Sequence, residues 1–448
     1  MTLPAQTPGP PGCVKSQVPR TAPLLSLQGL RVHFRSKAGL VHAVDGVDLD
    51  ISDGQTVGLV GETGSGKSVT GRSLLQIVPV PPGVYAGGRA LFRPKEVCAS
   101  CRGVGCSECG NTGKLGVPCP DCDGSGCDVC GGTGRQTLDL LQLPEPQMRR
   151  IRGNNIAMVF QDPGKALNPT LPIRQQLAEV FAEHRPDELL REAGLDPGRV
   201  GTLIRRDAHG RVSFLERRLL QVPPWRRAHR RLRAVMDEYV ARALADTHIP
   251  NPAQVMRSYP HELSGGMNQR VMIAQSLACD PDLLIADEPT TALDVTIQAR
   301  ILDLIQELQE RHHTAVLYIS HDLSLVRQIS DRVAVMYAGQ LVETGPTERI
   351  FDDPMHPYTR GLLLATPSAG QSRGRLVAIE GTVPQLVDPP PMCRFNSRCP
   401  WAADACRTRE PILRPWHAHD HHVACFLYDD ADRVGLAPAD MPSRGEDA

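Results

Sequence analysis

Gly61-Glu62-Thr63-Gly64-Ser65-Gly66-Lys67-Ser68 has the spacing G-x-x-x-x-G-K-[ST], with a short apolar run (Thr56 to Val60) before it and a helix-forming stretch from Ser68 after it. In that context the glycines let backbone N–H groups close around phosphate oxygens, and the helix N-terminus adds partial positive charge. Lys67 is the residue that reaches the β- and γ-phosphates, the Ser68 hydroxyl suits Mg²⁺, and Val69 completes the set. A second point of chemistry is Asp287-Glu288, at the end of the apolar run Leu283 to Ala286. An acidic pair at the carboxyl end of a strand suits Mg²⁺ coordination by the first residue and water activation by the second.

Sulfur makes up the rest of the chemistry. Of fourteen cysteines, eight form four copies of C-x-x-C-x-G-x-G: Cys98/Cys101, Cys106/Cys109, Cys119/Cys122 and Cys127/Cys130. Each turn offers two thiolates and two turns complete a tetrahedral Cys₄ zinc site, so eight ligands imply two Zn²⁺ ions. Cys393, Cys399, Cys406 and Cys425 are spaced irregularly, which suits a 4Fe–4S cluster, with a zinc site as the alternative. Nearby His417, His419, His421 and His422 read as substitute ligands or as exposed polar filler. Cys13 and Cys279 stand alone, as a tail thiol and a small buried hydrophobe.

The elements that must position these groups follow from composition and pattern. A chain of 448 residues spans roughly two to four domains. A net charge of −1 gives no field that gathers nucleic acid or anionic lipid, and 4% aromatics argues against a base-stacking surface. There is no apolar run of about 18 residues and no basic-then-apolar leader, so an integral membrane or secreted protein is not expected. Clustered cysteines in such a chain read as metal ligands rather than disulfides. The continuous apolar runs at 56–60, 283–286, 315–319 and 333–336 suit a parallel sheet covered on both faces by helices. Residues 89–92 and 138–143 read as two arms of one hairpin, with the cysteine block (93–136) inserted at its tip. The arginine-dense stretch 183–230 reads as a solvated charged face, and 1–23 and 429–448 as disordered tails.

Four further motifs, in order along the chain, narrow the class. Gln161 follows the run Ile156 to Phe160, and Leu263-Ser264-Gly265-Gly266-Met267-Asn268-Gln269 precedes the acidic pair. Asp294 lies in Ala292-Leu293-Asp294, and His321 follows the run that ends at Ser320. This order resembles the ATP-binding-cassette family, which implies an α/β P-loop NTPase with an antiparallel β subdomain and a helical subdomain. By that resemblance Gln161 contacts Mg²⁺ and the attacking water, Glu288 polarises that water, and His321 holds the γ-phosphate. The segment Leu263 to Gln269, chiefly Ser264 and Gly266, together with Asp294, serves the ATP of the opposite subunit, so each site needs two chains. Phe34 is the best-placed residue to stack on adenine, with an ordinary core phenylalanine as the equal alternative.

Ser258-Tyr259-Pro260-His261-Glu262, Met267 to Ala274, Ala286 to Thr296 and Phe160-Gln161-Asp162-Pro163 make the sequence similar to the ATPase subunits of oligopeptide, dipeptide and nickel importers. The likeness covers roughly 24–92, 138–182 and 232–427, including a Cys-x5-Cys-Pro pattern at Cys393 to Pro400 and the closing Val-Ala-Cys425. It implies an ATPase domain over 24–350, a helical subdomain at 162–262 and a C-terminal extension at 351–428 that carries the cluster. It also implies two membrane permeases, a second identical or homologous ATPase subunit, an extracytoplasmic solute-binding protein acting indirectly, and a place on the cytoplasmic face of the membrane. No nucleic acid is expected. The cysteine block resembles the cysteine-rich region of DnaJ-type chaperones, which implies that repeat one pairs with four and two with three. Pairing of one with two and three with four also satisfies the ligand count. A soluble DNA-transacting ATPase and a redox or chaperone adaptor are the competing functions.

Overall fold

The computed structural model describes residues 22–97, 114–128, 130, 132–195, 223–290, 294–365, 379–384, 386–416 and 420–428. Cys13, Cys98, Cys101, Cys106, Cys109, Ala292, Leu293, His417 and His419 lie outside the described residues, as do 1–21, 429–448 and positions 196–222 of the arginine-dense stretch.

Strands β1 (Leu25–Ser36) and β2 (Gly39–Ile51) alternate apolar and polar residues. Leu25, Leu27, Leu30 and Val32 of the first are buried with Val44, Val47, Leu49 and Ile51 of the second. With β4 (Gly83–Phe92) and β7 (Leu138–Asp139) they form an antiparallel sheet in the order β2-β1-β4-β7. That pattern is what one buried face requires.

The larger sheet is built differently. β3 (Thr56–Val60), β8 (Ile156–Val159), β9 (Leu283–Asp287) and β10 (Ala315–Ser320) are buried along their whole length. Successive residues feed opposite cores: Leu284, Ala286, Val316 and Tyr318 pack on one face, Leu283, Ile285, Leu317 and Ile319 on the other. The order is β13-β14-β12-β11-β3-β10-β9-β8, where β11 is Arg332–Tyr337, β12 Gln340–Pro346, β13 Arg414–Pro415 and β14 His422–Val423. β11, β3, β10, β9 and β8 run parallel, as the apolar runs predict, and β12, β14 and β13 continue the edge antiparallel. Thus residues after 351 lend strands to the central sheet, and Cys393, Phe395, Cys406 and Phe426 enter its core.

Helix α1 (Lys67–Leu74) begins directly after the phosphate-loop glycines. A third core belongs to helices α2 (Ile173–His184), α3 (Pro186–Glu192) and α4 (Pro223–Asp246), where Leu177, Phe181, Leu190, Val240 and Leu244 meet. Arg185, from the arginine-dense stretch, is not a solvated charge: its Nη2 donates to Cys279 O and to Asp280 Oδ2, both at 2.8 Å. Cys279 is buried as the sequence suggests.

The cysteine block does sit at a hairpin tip, since Leu91 pairs with Asp139 and Phe92 with Leu138. It leaves through β5 (Lys95–Val97), which pairs with β6 (Lys114–Gly116). A bridge between Pro118 and Arg135 then closes a second loop. Asp282, just ahead of β9, holds the base of the block: Oδ2 accepts from Lys95 N–H at 3.1 Å and Oδ1 from Lys114 Nζ at 2.8 Å.

Candidate functional site

The phosphate loop folds as its glycines dictate. Gly66 has φ +103, and a Cβ there would meet Ala43 O at 2.2 Å, so only glycine lets the chain turn into α1. Lys67 is buried, and its ammonium donates to Gly61 O at 2.7 Å and Glu62 O at 2.8 Å. Burial lowers its pKa to about 8, against the pull of Glu288, Asp287 and Glu62.

Ser68 Oγ donates to Asp287 Oδ1 at 2.7 Å. Asp287 is 1% exposed, and burial pushes its carboxyl above the usual range. Its other oxygen, Oδ2, has no hydrogen-bond partner; Arg72 Nη2 stands 3.5 Å away as an ion pair. Two hard oxygen ligands, one with spare coordination capacity, fit Mg²⁺.

Glu288 draws two distant residues together. Gln161 Nε2 donates to Glu288 Oε2 at 2.9 Å, and His321 Nδ1 lies 3.1 Å from Oε1. The Glu288 backbone has φ +48, a region uncommon for a non-glycine residue, and its N–H is tied to Ile319 O at 2.9 Å. The bend after β9 therefore aims the carboxylate between β8 and β10, where the glutamine and histidine stand.

Ser264 caps helix α5 (Gly265–Leu277), accepting from Met267 N–H at 3.3 Å, and Asn268 Nδ2 donates to Pro260 O. Asp294 caps helix α6 (Val295–His312), accepting from Ile297 N–H at 2.8 Å. Among the described residues no hydrogen bond joins Leu263–Gln269 to Gly61–Ser68 within one chain. The Phe34 ring is half-buried against the core beside Gly83.

Cys119, Cys122, Cys127 and Cys130 converge, with all four sulfurs within 4.8 Å of one another. The separations Cys119–Cys127 and Cys122–Cys130 are 3.9 Å, and Cys127–Cys130 is 3.8 Å. A Zn–S bond of about 2.3 Å gives tetrahedral edges of about 3.8 Å, so the spacing fits zinc. Burial works against the Cys130 thiolate, but N–H groups of Cys127 and Gly134, each 3.2 Å from its sulfur, hold its pKa near 6. Gly126 N–H points at Cys122 Sγ in the same way, at 3.2 Å. The nested pairing implied by the chaperone resemblance is therefore corrected: repeat three meets repeat four. The β5–β6 ladder closes the chain ahead of Cys119, and Cys119 N–H to Gly134 O closes it again at 2.9 Å, keeping the second loop to itself.

The C-terminal thiols are arranged more loosely. Cys393 and Cys406 hydrogen-bond one another, which raises the first thiol and lowers the second to about 6. Burial pushes Cys399 up to about 11 and Cys425 up to about 12, and Cys406 lies within electrostatic reach of both. Unlike the Cys119–Cys130 set, these four sulfurs do not all lie within 4.8 Å of one another; Cys393, Cys399 and Cys406 pack with the main core and Cys425 with a separate small cluster.

Sequence reasoning missed three contacts at this site. Arg72 faces Asp287, Tyr358 Oη accepts from Glu62 N–H, and Arg398 pairs with Glu62. Only Arg72 had a local signal, one turn past Ser68 on the same helix.

Over most of its length the chain is similar to known transport proteins. The ABC transporter family model matches residues 132–291, and the oligopeptide/dipeptide transporter C-terminal region matches 342–406. The dipeptide transport ATP-binding protein DppD of Bacillus subtilis is 36% identical over 406 residues, covering 91% of this chain and 95% of its own. The oligopeptide transport ATP-binding protein AppD of the same organism is 37% identical over 407 residues, covering 91% and 97%. A solved dimeric ATP-binding cassette, MJ0796 bound to ADP and Pi, aligns over 72% of this chain and 98% of its own, with TM-score 0.44 and 20% identity.

Proposed function

The chain belongs to the ATP-binding subunits of the oligopeptide and dipeptide ABC importers and is an ATPase, and from that premise we propose that it is the motor of a peptide importer built on separate permeases. Peptides are the cargo class, and nickel is the other small solute that such a motor serves. Two cassettes close on ATP: the phosphate loop of one chain faces Ser264, Gly266 and Asp294 of an identical or homologous partner. The chain acts as a peripheral subunit on the cytoplasmic face, a reading supported by its similarity to ATP-binding subunits of transporters; among the described residues no helix is long and apolar enough to cross a membrane. A solute-binding protein outside the membrane delivers the cargo.

The observation that carries this reading is the Gln161–Glu288–His321 cluster beside the Ser68–Asp287 pair. Lys67 and the loop N–H groups hold the β- and γ-phosphates, and the helix dipole of α1 adds to that field. Ser68 and Asp287 hold Mg²⁺, which when bound neutralises phosphate charge. Glu288 takes the proton of a water whose oxygen bonds to the γ-phosphorus as the bond to the β,γ-bridging oxygen breaks. Gln161 and His321 fix the Glu288 carboxylate, and His321 steadies the γ-phosphate.

Zinc at Cys119, Cys122, Cys127 and Cys130 has a folding role, because a closed Cys₄ set leaves no open position for catalysis. The second Zn²⁺ falls to Cys98, Cys101, Cys106 and Cys109. The C-terminal thiols hold a 4Fe–4S cluster with a structural or redox-sensing role.

The test is purification of the native protein from gently solubilised membranes, read by mass spectrometry. Recovery with two multi-span permeases supports the importer reading. Recovery from the soluble fraction with nucleic acid or repair proteins overturns it.

A further inference from the structure

Glu62 belongs to the phosphate loop, yet its side chain is gripped from the other end of the sequence. Arg398, 336 positions on, donates from Nη1 to Glu62 Oε2 at 2.9 Å and from Nη2 to Oε1 at 3.1 Å. This is a two-pronged guanidinium–carboxylate pair, the geometry that fixes direction as well as distance. The rest of the guanidinium is also committed. Nε donates to Glu380 O at 2.9 Å, Nη2 to Ile379 O at 3.2 Å and Nη1 to Tyr337 Oη at 3.3 Å. The Arg398 side chain is 5% exposed, so water does not compete for these bonds. Glu62 is held through its backbone as well: its N–H donates to Tyr358 Oη at 2.8 Å, from helix α7 (Pro357–Ala365). Its carbonyl accepts from Lys67 Nζ at 2.8 Å. The carbonyl also accepts from Ser65 N–H at 3.2 Å, so every polar group of Glu62 is engaged, and two of its four partners come from beyond residue 351.

We propose that Arg398 is a positioning residue for ATP binding, one that sets the entrance of the phosphate loop through Glu62. The inference rests on the reading of Gly61–Ser68 as the ATP site. The loop N–H groups and Lys67 bind phosphate only when they converge, and convergence depends on where the loop begins. Glu62 is that beginning, and the Arg398 fork holds it beside Tyr337, at the carboxyl end of β11. Arg398 directly precedes Cys399, so the C-terminal thiol region and nucleotide affinity are coupled through one side chain.

The experiment measures binding of N-methylanthraniloyl-ATP to the full-length protein and to Arg398→Met, Arg398→Lys, Glu62→Gln and the double variant Arg398→Met/Glu62→Gln. Arg398→Met weakens binding about tenfold or more, and the ATP KM rises by more than kcat falls. Arg398→Lys is intermediate, because an ammonium replaces the charge but not the fork. The double variant binds no worse than the weaker single, since the two residues act as one unit. Hydrogen exchange in Arg398→Met rises over residues 58–68 while the rest of the chain keeps its protection. Unchanged affinity in Arg398→Met, additive losses in the double variant, or exchange raised throughout the chain each overturn the proposal. Lys67→Ala separates the two levels of the argument. If wild type and Lys67→Ala bind nucleotide equally, the ATP-site reading itself fails.

Discussion

Ser68 Oγ donates a 2.7 Å hydrogen bond to Asp287 Oδ1, joining residues 219 positions apart. The pair places the first turn of α1 against the end of β9. Asp287 has its folded-state pKa raised by burial, so the carboxylate form opposes the fold of the nucleotide-free protein. That cost is absent below the unfolded carboxylate pKa of about 3.9, grows as pH rises above it, and is complete above the folded value. Asp287→Asn should therefore melt a few degrees higher than wild type at pH 7.5 without nucleotide. The difference should vanish as pH approaches about 4. The same variant should lose Mg²⁺-dependent hydrolysis by about 100-fold or more. Calorimetric scans across pH with a phosphate-release assay check both halves.

Lys67 titrates near pH 8 in the nucleotide-free protein because burial disfavours its charge. Phosphate binding needs the ammonium, so ATP affinity should hold below pH 8 and fall above it, by at most about tenfold per pH unit. Binding raises the lysine pKa, so protons should be taken up at pH 8.5. Isothermal titration in two buffers of different ionisation enthalpy measures that uptake. Its absence would detach Lys67 from the phosphates.

Glu288 stands at the meeting point of Gln161 and His321. Glu288→Gln should bind ATP, trap a dimer and cut kcat by about 100- to 10,000-fold, the range of a lost general base. His321→Ala should lower kcat with a smaller change in ATP affinity. Single-turnover hydrolysis and size-exclusion chromatography with ATP test the pair. Sustained turnover in Glu288→Gln would remove the assigned base.

The four sulfurs from Cys119 to Cys130 predict one zinc ion that is independent of the C-terminal thiols. Anaerobically prepared protein should carry about two zinc and four iron per chain. Cys122→Ser/Cys127→Ser should lose one zinc and leave the iron unchanged. Structural zinc is worth ~10–16 kcal/mol at neutral pH, so residues 117–136 should then become protease-sensitive. Elemental analysis and limited proteolysis decide it.

How much of this was legible in the sequence depends on distance along the chain. Gly61 to Ser68 announces itself because the loop is contiguous and its flanks are a strand and a helix. The acidic pair is equally local, and the burial of β9 and β10 on both faces follows from their uninterrupted apolar runs. The convergence of Gln161, Glu288 and His321 was reached through the order of family motifs, since no local pattern relates them. The pairing of the cysteine repeats stayed open because they are alike: C-x-x-C supplies ligands but not partners, and the Pro118–Arg135 bridge brings repeat three to repeat four. The Glu62–Arg398 pair was invisible, because two oppositely charged residues so far apart carry no periodicity or spacing.

The cysteine block leaves and rejoins the protein at neighbouring rungs of one ladder, where Phe92 faces Leu138. For anyone wishing to transplant it, the seam is already cut: a tight turn would close the gap without moving either strand. One stitch resists. Asp282 is 1% exposed and accepts from the Lys95 backbone N–H and the Lys114 ammonium, both of which leave with the block, while the Asn155 amide, 2.8 Å from Oδ2, stays. A buried carboxylate stripped of its lysine partner is costly. Clean excision therefore carries Asp282→Asn with it, and the cysteine block becomes a portable part whose fastening lies in its host.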